Sequence, residues 1–197
     1  MFTKVKISFF SIFLVLIAFV PAYAAPTYAI DPSHSTLGFA VKHLGVSTTR
    51  GGFDDYAGSI TLDPEDDKTF NAEVTIQATS INTKNESRDN HLRSADFFDT
   101  ANNPTITFQS TRLEKQGEGA VMVGNLTIKG VTKEITIPVT ISGPVTSPMG
   151  ASVIGIKGST VINRQDFNVT WNKTLDNGGF VVGNDVELVV EVEAQAK

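Results

Sequence analysis

The chain has 197 residues, of which 41% are hydrophobic, and its formal net charge at pH 7 is −5. It contains no cysteine, which excludes disulfides, thiol chemistry and cysteine-ligated metal sites. An acidic chain without a basic face is also a poor partner for nucleic acid, because binding requires cations that neutralise the phosphate backbone. We therefore expect no nucleic-acid partner.

The first residues have the three-part layout of a cleavable secretory signal. Two lysines precede an apolar run over residues 7–20, and Ala22-Tyr23-Ala24 ends in a peptidase site. The run is shorter than the ~20 residues that a bilayer span needs, so a retained membrane anchor is the less favoured alternative. The sequence predicts a signal peptide at 1–24 and one domain at 25–197, periplasmic or secreted and not membrane-spanning. Loss of the two lysines takes the net charge from −5 to −7.

Beyond the signal segment, apolar side chains recur with a period of two, the spacing of strands that bury one face. The pattern is cleanest at residues 134–141 and 186–193, and it also appears at 37–41, 74–78 and 105–109. About eight such segments with one helical insertion predict an all-β fold, a closed antiparallel barrel. A sandwich of two sheets is the structural alternative.

Glycine and proline positions indicate where the strands turn and bend. Gly130 predicts a hairpin turn in which the glycine has a positive φ. Gly124, Gly155 and Gly158 lie inside strand segments and predict bulges at which a barrel wall bends. Pro138 cannot donate to a ladder, so we expect an edge or a bulge at that point.

One segment interrupts the strand pattern with a helical signal. Thr83 followed by Glu86 has the spacing of a capping box and predicts a short helix over residues 85–93. Residues 94–98 then form a turn that presents two phenylalanines. Because basic and aromatic side chains lie side by side here, the segment is suited to closing an apolar cavity with a charged rim. This arrangement favours a carrier over a catalyst.

Aromatic side chains are the main candidates for the wall of such a cavity. Five of the 13 phenylalanines lie in the signal, and eight remain in the exported chain. The interior of an eight-stranded barrel is close to the size at which it holds one small ligand, although filling of an ordinary core is the alternative for each ring. The candidate ligand-binding residues are Phe39, Val41, His43, Phe53, Ile76, His91, Phe97, Phe98, Phe108, Leu126, Phe167 and Trp171. Candidates for an anionic head group, through their guanidinium forks, are Arg88, Arg93 and Arg164.

Histidines and carboxylates give little support for a catalytic or metal site. None of the three histidines has the spacing of a metal-ligand motif. Asp31, His34 and Ser35 include the residue types of a nucleophilic triad, but residues so close in sequence seldom reach its geometry. The sequence Asp31-Pro-Ser instead predicts a turn that leads into the first strand. We therefore predict no catalytic residue, metal or cofactor.

Several stretches carry a resemblance to a known family. They are Asp-Asn-His-Leu-Arg-Ser-Ala-Asp-Phe-Phe-Asp at 89–99, Asn-Pro-Thr-Ile-Thr-Phe-Gln-Ser at 103–110 and Gly-Asn-Leu-Thr-Ile-Lys-Gly-Val-Thr-Lys at 124–133. The match continues from Asp-Pro-Ser-His-Ser at 31–35 to Gly-Asn-Asp-Val-Glu at 183–187. With these motifs the chain closely resembles the YceI-like family of exported polyisoprenoid-binding proteins.

The resemblance implies a lipocalin-like antiparallel barrel that encloses a long isoprenoid or similar acyl chain. It also implies a periplasmic or secreted protein without established catalytic residues. Arg164 and Phe167 match a late family motif, in which Asn168 stands where many relatives have glycine.

Together, the residues and the resemblance favour a non-enzymatic carrier of a long-chain isoprenoid or fatty-acyl amphiphile. Its barrel would take the tail out of water, with the head group near residues 88–98. Two alternatives stay open: a stress-linked accessory or enzyme acting on a quinone-like isoprenoid, and a structural β-domain with a filled core. A homodimer formed through an edge strand is also compatible with the sequence.

Overall fold

The structure is a computed structural model that describes residues 25–63, 66–117, 119–176 and 178–196. The predicted signal peptide at 1–24 lies outside the described residues. The described ranges contain eleven strands, one α-helix and three short 3-10 turns, at 32–34, 78–80 and 164–167. The helix is α1 (Glu86–Arg93), and the strands are β1 (Thr27–Ile30), β2 (Thr36–His43), β3 (Ser47–Phe53), β4 (Tyr56–Asp63), β5 (Asp66–Gln77), β6 (Ile81–Asn82), β7 (Thr105–Gln116), β8 (Gly119–Ile128), β9 (Val131–Thr146), β10 (Ser152–Asn163) and β11 (Val182–Ala196).

Eight of the strands form a closed antiparallel ring. Its order is β1, β4, β5, β7, β8, β9, β10 and β11, and β11 pairs again with β1. Strand β2 follows β1 along the same edge of β11, and β3 and β6 extend the sheet from there. The predicted barrel of about eight strands with one short helix is therefore confirmed, and the two-sheet alternative is not.

A strand of only four residues closes the ring. In β1, Tyr28 pairs with Ala196 of β11 on one side and with Ile60 of β4 on the other. The turn predicted at Asp31 is present, because its carboxylate accepts a hydrogen bond from the Ser33 amide at 2.9 Å. This turn leads into β2, the first of the strands predicted from the sequence, and the short β1 before it was not predicted.

The predictions at Gly124, Gly155 and Pro138 correspond to irregularities in the ladders, whereas Gly158 pairs with Val190 and Val139 without a register shift, so the bulge predicted there is wrong. Register shifts lie between Ser110 and Arg112, beside the partner of Gly124, and between Val153 and Gly155. Pro138 lies just outside the ladder between β9 and β10, which begins at Val139. At these points the barrel wall bends or loses a partner strand, as the missing side chain or missing donor requires.

Helix α1 begins one residue later than predicted, and its cap lies two residues after the predicted Thr83. The cap is Asn85, whose side chain accepts a hydrogen bond from the Arg88 amide at 3.0 Å. The hydroxyl of Thr83 instead donates to the carboxylate of Asp89, so it is not available to cap the helix. Within the described ranges, no helix is long and apolar enough to cross a membrane.

The buried side chains form two clusters at opposite ends of the barrel. The larger one contains Tyr28 and Ile60 and lies at the end that β1 closes. The other contains Ile106, Phe97 and Phe167 and lies beneath α1, at what we call the lid end. All the described strands and both clusters fall within residues 27–196, so a chain starting at residue 25 contains the whole described barrel.

Candidate functional site: an apolar cavity in the barrel

A cavity of about 200 Å³ lies inside the barrel and reaches both core clusters. Ile60 and Val192 line it towards the end closed by β1, and Leu92 and Phe98 line it at the lid end. Among the described residues of its wall, Arg164 is the only charged one. Because small-molecule sites commonly have volumes of about 300–1,000 Å³, this narrow apolar space fits a slender aliphatic tail better than a bulky ring system.

Most of the predicted wall residues do face the cavity. They come from five strands whose alternating side chains point inward, from the segment after α1 and from the 3-10 turn at 164–167. The predicted candidates found in the wall are Phe39, Val41, Phe53, Ile76, Phe97, Phe98, Phe108, Leu126, Phe167 and Arg164. Their contact with a ligand stays a prediction.

Two glycines help to keep the interior open. A methyl group added at Gly51 would come within 2.6 Å of the Phe39 ring, and one added at Gly124 within 2.4 Å of the Phe108 ring. Each ring therefore lies flat over a neighbouring strand at a point where any side chain would push it inward. Large aromatic residues can thus line the barrel without plugging it.

The candidates His91 and Trp171 lie at the lid end, but outside the described cavity wall. The His91 ring is 5.0 Å from that of Phe97 and 4.9 Å from that of Trp171, centroid to centroid. Its Nε2 atom lies 2.8 Å from the carboxylate of Asp96. His91 and Trp171 therefore support Phe97 from outside the described wall of the cavity, and their contact with a ligand stays a prediction.

His43 also lies outside the cavity wall as the described residues define it. It is the last residue of β2, where it pairs with Val182 of β11 and with Ser47 of β3. The inward face of β2 is formed by Phe39 and Val41 instead. His43 lies on the same face of β2 as these two residues but at the end of the strand, beyond the described wall, and its contact with a ligand stays a prediction.

The guanidinium of Arg93 attaches the helix to the barrel. It donates to the carbonyl of Thr79 at 2.7 Å, to the carbonyl of Ile81 at 2.9 Å and to the side chain of Asn90 at 2.9 Å. These carbonyls belong to a 3-10 turn and a two-residue strand, which leave backbone acceptors to be satisfied by side chains. Arg93 therefore bonds the backbone beside the helix and lies outside the described cavity wall, and its contact with a head group stays a prediction.

Arg88 has a similar position on the preceding turn of the helix. It donates to the hydroxyl and to the carbonyl of Thr83, at 2.7 and 2.8 Å. The same Thr83 amide and hydroxyl donate to buried Asp89. This network fixes the start of α1. Arg88 also lies outside the described cavity wall, and its contact with a head group stays a prediction.

Arg164 is the head-group candidate that does reach the cavity. It is buried, and it donates to the carbonyls of Gly183 and Val169 and to the side chain of Asn184. Burial lowers the pKa of Arg164, but a guanidinium stays protonated at neutral pH. It forms no ion pair with any described residue, and its donors are taken up by these carbonyls and by Asn184, so its positive charge lies beside the cavity without a carboxylate partner. The turn after it is kept by Asn168, which adopts a left-handed conformation with φ 58°.

A polar cluster lies at the opposite end of the barrel, where β1 meets β11. Nδ1 of His34 is 2.9 Å from the carboxylate of Asp31 and 3.9 Å from that of Glu193. The hydroxyl of Ser35 donates to the carbonyl of Glu193 and accepts from its amide. The hydroxyl of Ser33 and the carboxylate of Asp31 both contact Nδ1 of His34. A triad needs the two ring nitrogens on different partners, so none is assembled here. The His34, Asp31 and Glu193 side chains could hold a cation, since their ligand atoms lie within 4.8 Å of one another.

This cluster gives a testable pH dependence. Hydrogen bonds from Ser33 and His34 lower the pKa of Asp31 from 3.8 to about 2, and Asp31 raises the pKa of His34 above 6.5. The contribution of Asp31 to stability is complete above pH 3.8 and is lost as the pH falls through about 2. The contribution of His34 is complete below pH 6.5 and is lost as the pH rises through its raised value, so both are present between pH 3.8 and 6.5.

We expect the His34 ring protons to titrate above pH 6.5 in an NMR titration, and Asp31→Asn to move that midpoint down towards 6.5. Asp96→Asn is the matched control, because Asp96 contacts the distant His91 and should leave the His34 midpoint unchanged. An unchanged midpoint in Asp31→Asn would contradict the assignment.

Comparison with known proteins shows which family the chain matches. A protein-family model described as the YceI-like domain matches residues 28–194. A UPF0312 protein of Staphylococcus aureus strain N315 is 40% identical over 167 residues, which cover 84% of this chain and 95% of the relative. The crystal structure of a YceI protein from Campylobacter jejuni is 38% identical with a TM-score of 0.67, and the match covers 79% of this chain and 90% of that one.

Two more distant crystal structures share the fold. BcnA of Burkholderia cenocepacia has a TM-score of 0.74 at 24% identity, over 84% of this chain and 99% of that one. A polyisoprenoid binding domain from Saccharophagus degradans has a TM-score of 0.64 at 18% identity, over 89% and 100% of the two chains. The family match runs from β1 to β11, and therefore over the complete ring of the barrel. The chain thus belongs to the YceI-like family.

Proposed function

We propose that this protein is a non-enzymatic carrier that holds the tail of a long-chain isoprenoid, or of a similar amphiphile, inside its barrel. The observation that carries the proposal is a narrow cavity whose wall is apolar, with buried Arg164 as the only charged residue among the described residues that line it. It is supported by the similar fold of the Saccharophagus degradans protein, which is described as a polyisoprenoid binding domain.

Burial of the tail is sufficient to account for binding. Each methylene group moved out of water contributes about 0.8 kcal/mol, so ten buried carbons would gain about 8 kcal/mol before ordering costs. An open apolar cavity offers water few hydrogen-bond partners, which further favours a hydrocarbon occupant. No reacting group is required, and the histidines lie outside the wall.

The head group is expected to lie at the lid end, against Arg164. The positive charge of Arg164 lies beside the cavity without a carboxylate partner, and in these apolar surroundings it attracts an anionic or strongly polar group more strongly than it would in water. Phe97 and Phe98 line the same end of the cavity and would cover the upper part of the tail. The head group therefore belongs to the class of phosphate, carboxylate or carbonyl oxygen acceptors.

Export belongs to the same proposal. The charged start, apolar run and small-residue site of residues 1–24 support removal of this segment, with the barrel released to the periplasm or the medium. A lipid carrier is useful in such a compartment, because a long tail cannot cross water unaided.

Mass spectrometry of the protein, expressed with its own first 24 residues and purified without detergent, tests both parts. The organic extract is expected to contain about one equivalent of a long-chain amphiphile, and the intact mass is expected to lack residues 1–24. The extraction is calibrated on a lipid-binding protein with a known occupant. An empty extract under those conditions would refute the carrier function, and an intact full-length chain would refute export.

A further inference from the structure

Two adjacent segments at the lid end form a surface that we call the tip: the hairpin loop and strand ends at residues 42–50, and the loop at residues 171–176 and 178–181. The amide of Leu44 donates to the carbonyl of Val181 at 2.9 Å, and the amide of Val181 donates to the carbonyl of Lys173 at 3.1 Å. Thr174 and Phe180 pair across the second loop. These backbone bonds hold the two loops side by side as one surface.

The tip exposes large apolar side chains. Val46 is 85% exposed, Phe180 55% and Leu44 40%. Among the described residues, six large apolar side chains are exposed, and these are three of them. Exposed apolar groups gathered on neighbouring loops indicate a surface that is covered by another phase or partner.

The tip is also basic within an acidic chain. Lys42, Arg50 and Lys173 are exposed there, against the single carboxylate of Asp176, whereas the whole chain has a net charge of −5. Within the described part of the chain, these three cations have no ion-pair partner. Positive charge around apolar side chains is the pattern of interfacial proteins that bind anionic lipid.

The tip is continuous with the cavity. Val41 and Val182, which adjoin its two loops, both line the cavity. Trp171, which belongs to the tip, contacts the rings of His91 and Phe97 at the lid end. A surface that contacts the tip would therefore lie next to the lid end of the cavity, which Arg164 and Phe98 line.

We propose that the tip docks on the surface of a bilayer that contains anionic lipid. Val46, Phe180 and Leu44 enter the interface between head groups and acyl chains, and the three cations contact phosphate groups. Docking sets the lid end of the cavity against the membrane, which is the phase that holds long-tailed amphiphiles. This inference rests on the proposed carrier function, because it gives that carrier a place to load and unload.

Vesicle sedimentation of residues 25–197 tests the docking. Wild-type protein is expected to partition onto vesicles of phosphatidylcholine with 30 mol% phosphatidylglycerol at least tenfold more strongly than onto phosphatidylcholine alone, and 0.5 M salt should reduce that partitioning. Lys42→Gln with Lys173→Gln should weaken partitioning by about 25-fold, since one cation near an anionic surface contributes about fivefold. Val46→Ser with Phe180→Ser should weaken it at least tenfold.

Matched controls come from the rest of the barrel. Val145→Ser with Met149→Ser removes two exposed apolar side chains at the opposite end of the barrel. Lys133→Gln with Lys157→Gln removes two exposed lysines from its outer surface. Both controls should keep wild-type partitioning, and circular dichroism should show the same fold in all four variants.

Three outcomes would overturn the docking. The first is that the wild type partitions onto neither kind of vesicle, and the second is that tip and control variants lose partitioning equally. The third is that the wild type does not bind vesicles but forms a dimer in sedimentation velocity, and only the tip variants abolish that dimer. The last outcome would assign the tip to a second copy of this chain. If the protein carries extractable lipid but does not bind vesicles, only the docking proposal is refuted. If the barrel is empty but the protein binds vesicles, the carrier function is refuted.

Discussion

Leu188→Trp is expected to empty the barrel of its ligand while the fold remains. Leu188 lies in β11, pairs with Phe39 of β2 and lines the cavity. An indole at this position would fill space that about three or four methylenes of a tail would otherwise occupy. At about 0.8 kcal/mol for each, the loss is about 3 kcal/mol, or about a hundredfold in Kd.

The measurement is displacement of a fluorescent fatty acid, together with the lipid content of the organic extract. Glu187→Trp is the matched control, because Glu187 is the neighbouring residue on the same strand and its side chain is exposed. The control should bind as the wild type does. Unchanged affinity in Leu188→Trp, with a circular dichroism spectrum like that of the wild type, would show that the tail does not occupy the lumen.

Arg164→Met is expected to lower the free energy of unfolding by about 3 kcal/mol or more, the largest stability change that we predict for a single polar residue. Arg164 bonds the carbonyls of Gly183 and Val169 and thereby holds the start of β11 against the 3-10 turn that follows β10. Methionine has a similar length but no donor, so it would leave these buried acceptors without partners. Urea denaturation measures the change.

Arg112→Met is the control for this effect. Arg112 is exposed and pairs with Glu114 and Glu134 on the outer surface, and exposed ion pairs contribute about 0–1 kcal/mol. Arg164→Lys keeps the charge but not the fork, so it should lie between the wild type and Arg164→Met. A loss below about 1 kcal/mol in Arg164→Met would contradict the structural role of this guanidinium.

The strands and turns were predictable because they depend on nearby residues. Side chains of a strand alternate between its faces, so the patterns at 134–141 and 186–193 indicated β9 and β11 directly. The turn at Gly130 has φ 74°, as its glycine predicted. The helix predicted at 85–93 is present at 86–93, although its cap is Asn85 because the Thr83 hydroxyl is bonded to Asp89.

The polar contacts were less predictable, because their partners come from distant parts of the chain. Glu193 meets His34 and Ser35 only because β11 returns beside β1 and β2. Arg93 bonds carbonyls of residues 79 and 81, whose need for a donor arises from the 3-10 turn before β6. A charged residue on a short helix near aromatic side chains looks the same in sequence whether it serves a ligand or the backbone.

The sequence by itself determined an all-β chain with one helical insertion, no thiol chemistry and an inward face rich in phenylalanine. Only the tertiary structure decided that the lumen is open and that Arg164, of the three candidate arginines, reaches it. Alternation sets the face on which a side chain lies, but the volume left inside depends on how the rings from different strands orient. Here the rings of Phe39 and Phe108 lie over Gly51 and Gly124, and that cross-strand arrangement leaves the space in which a tail can be held.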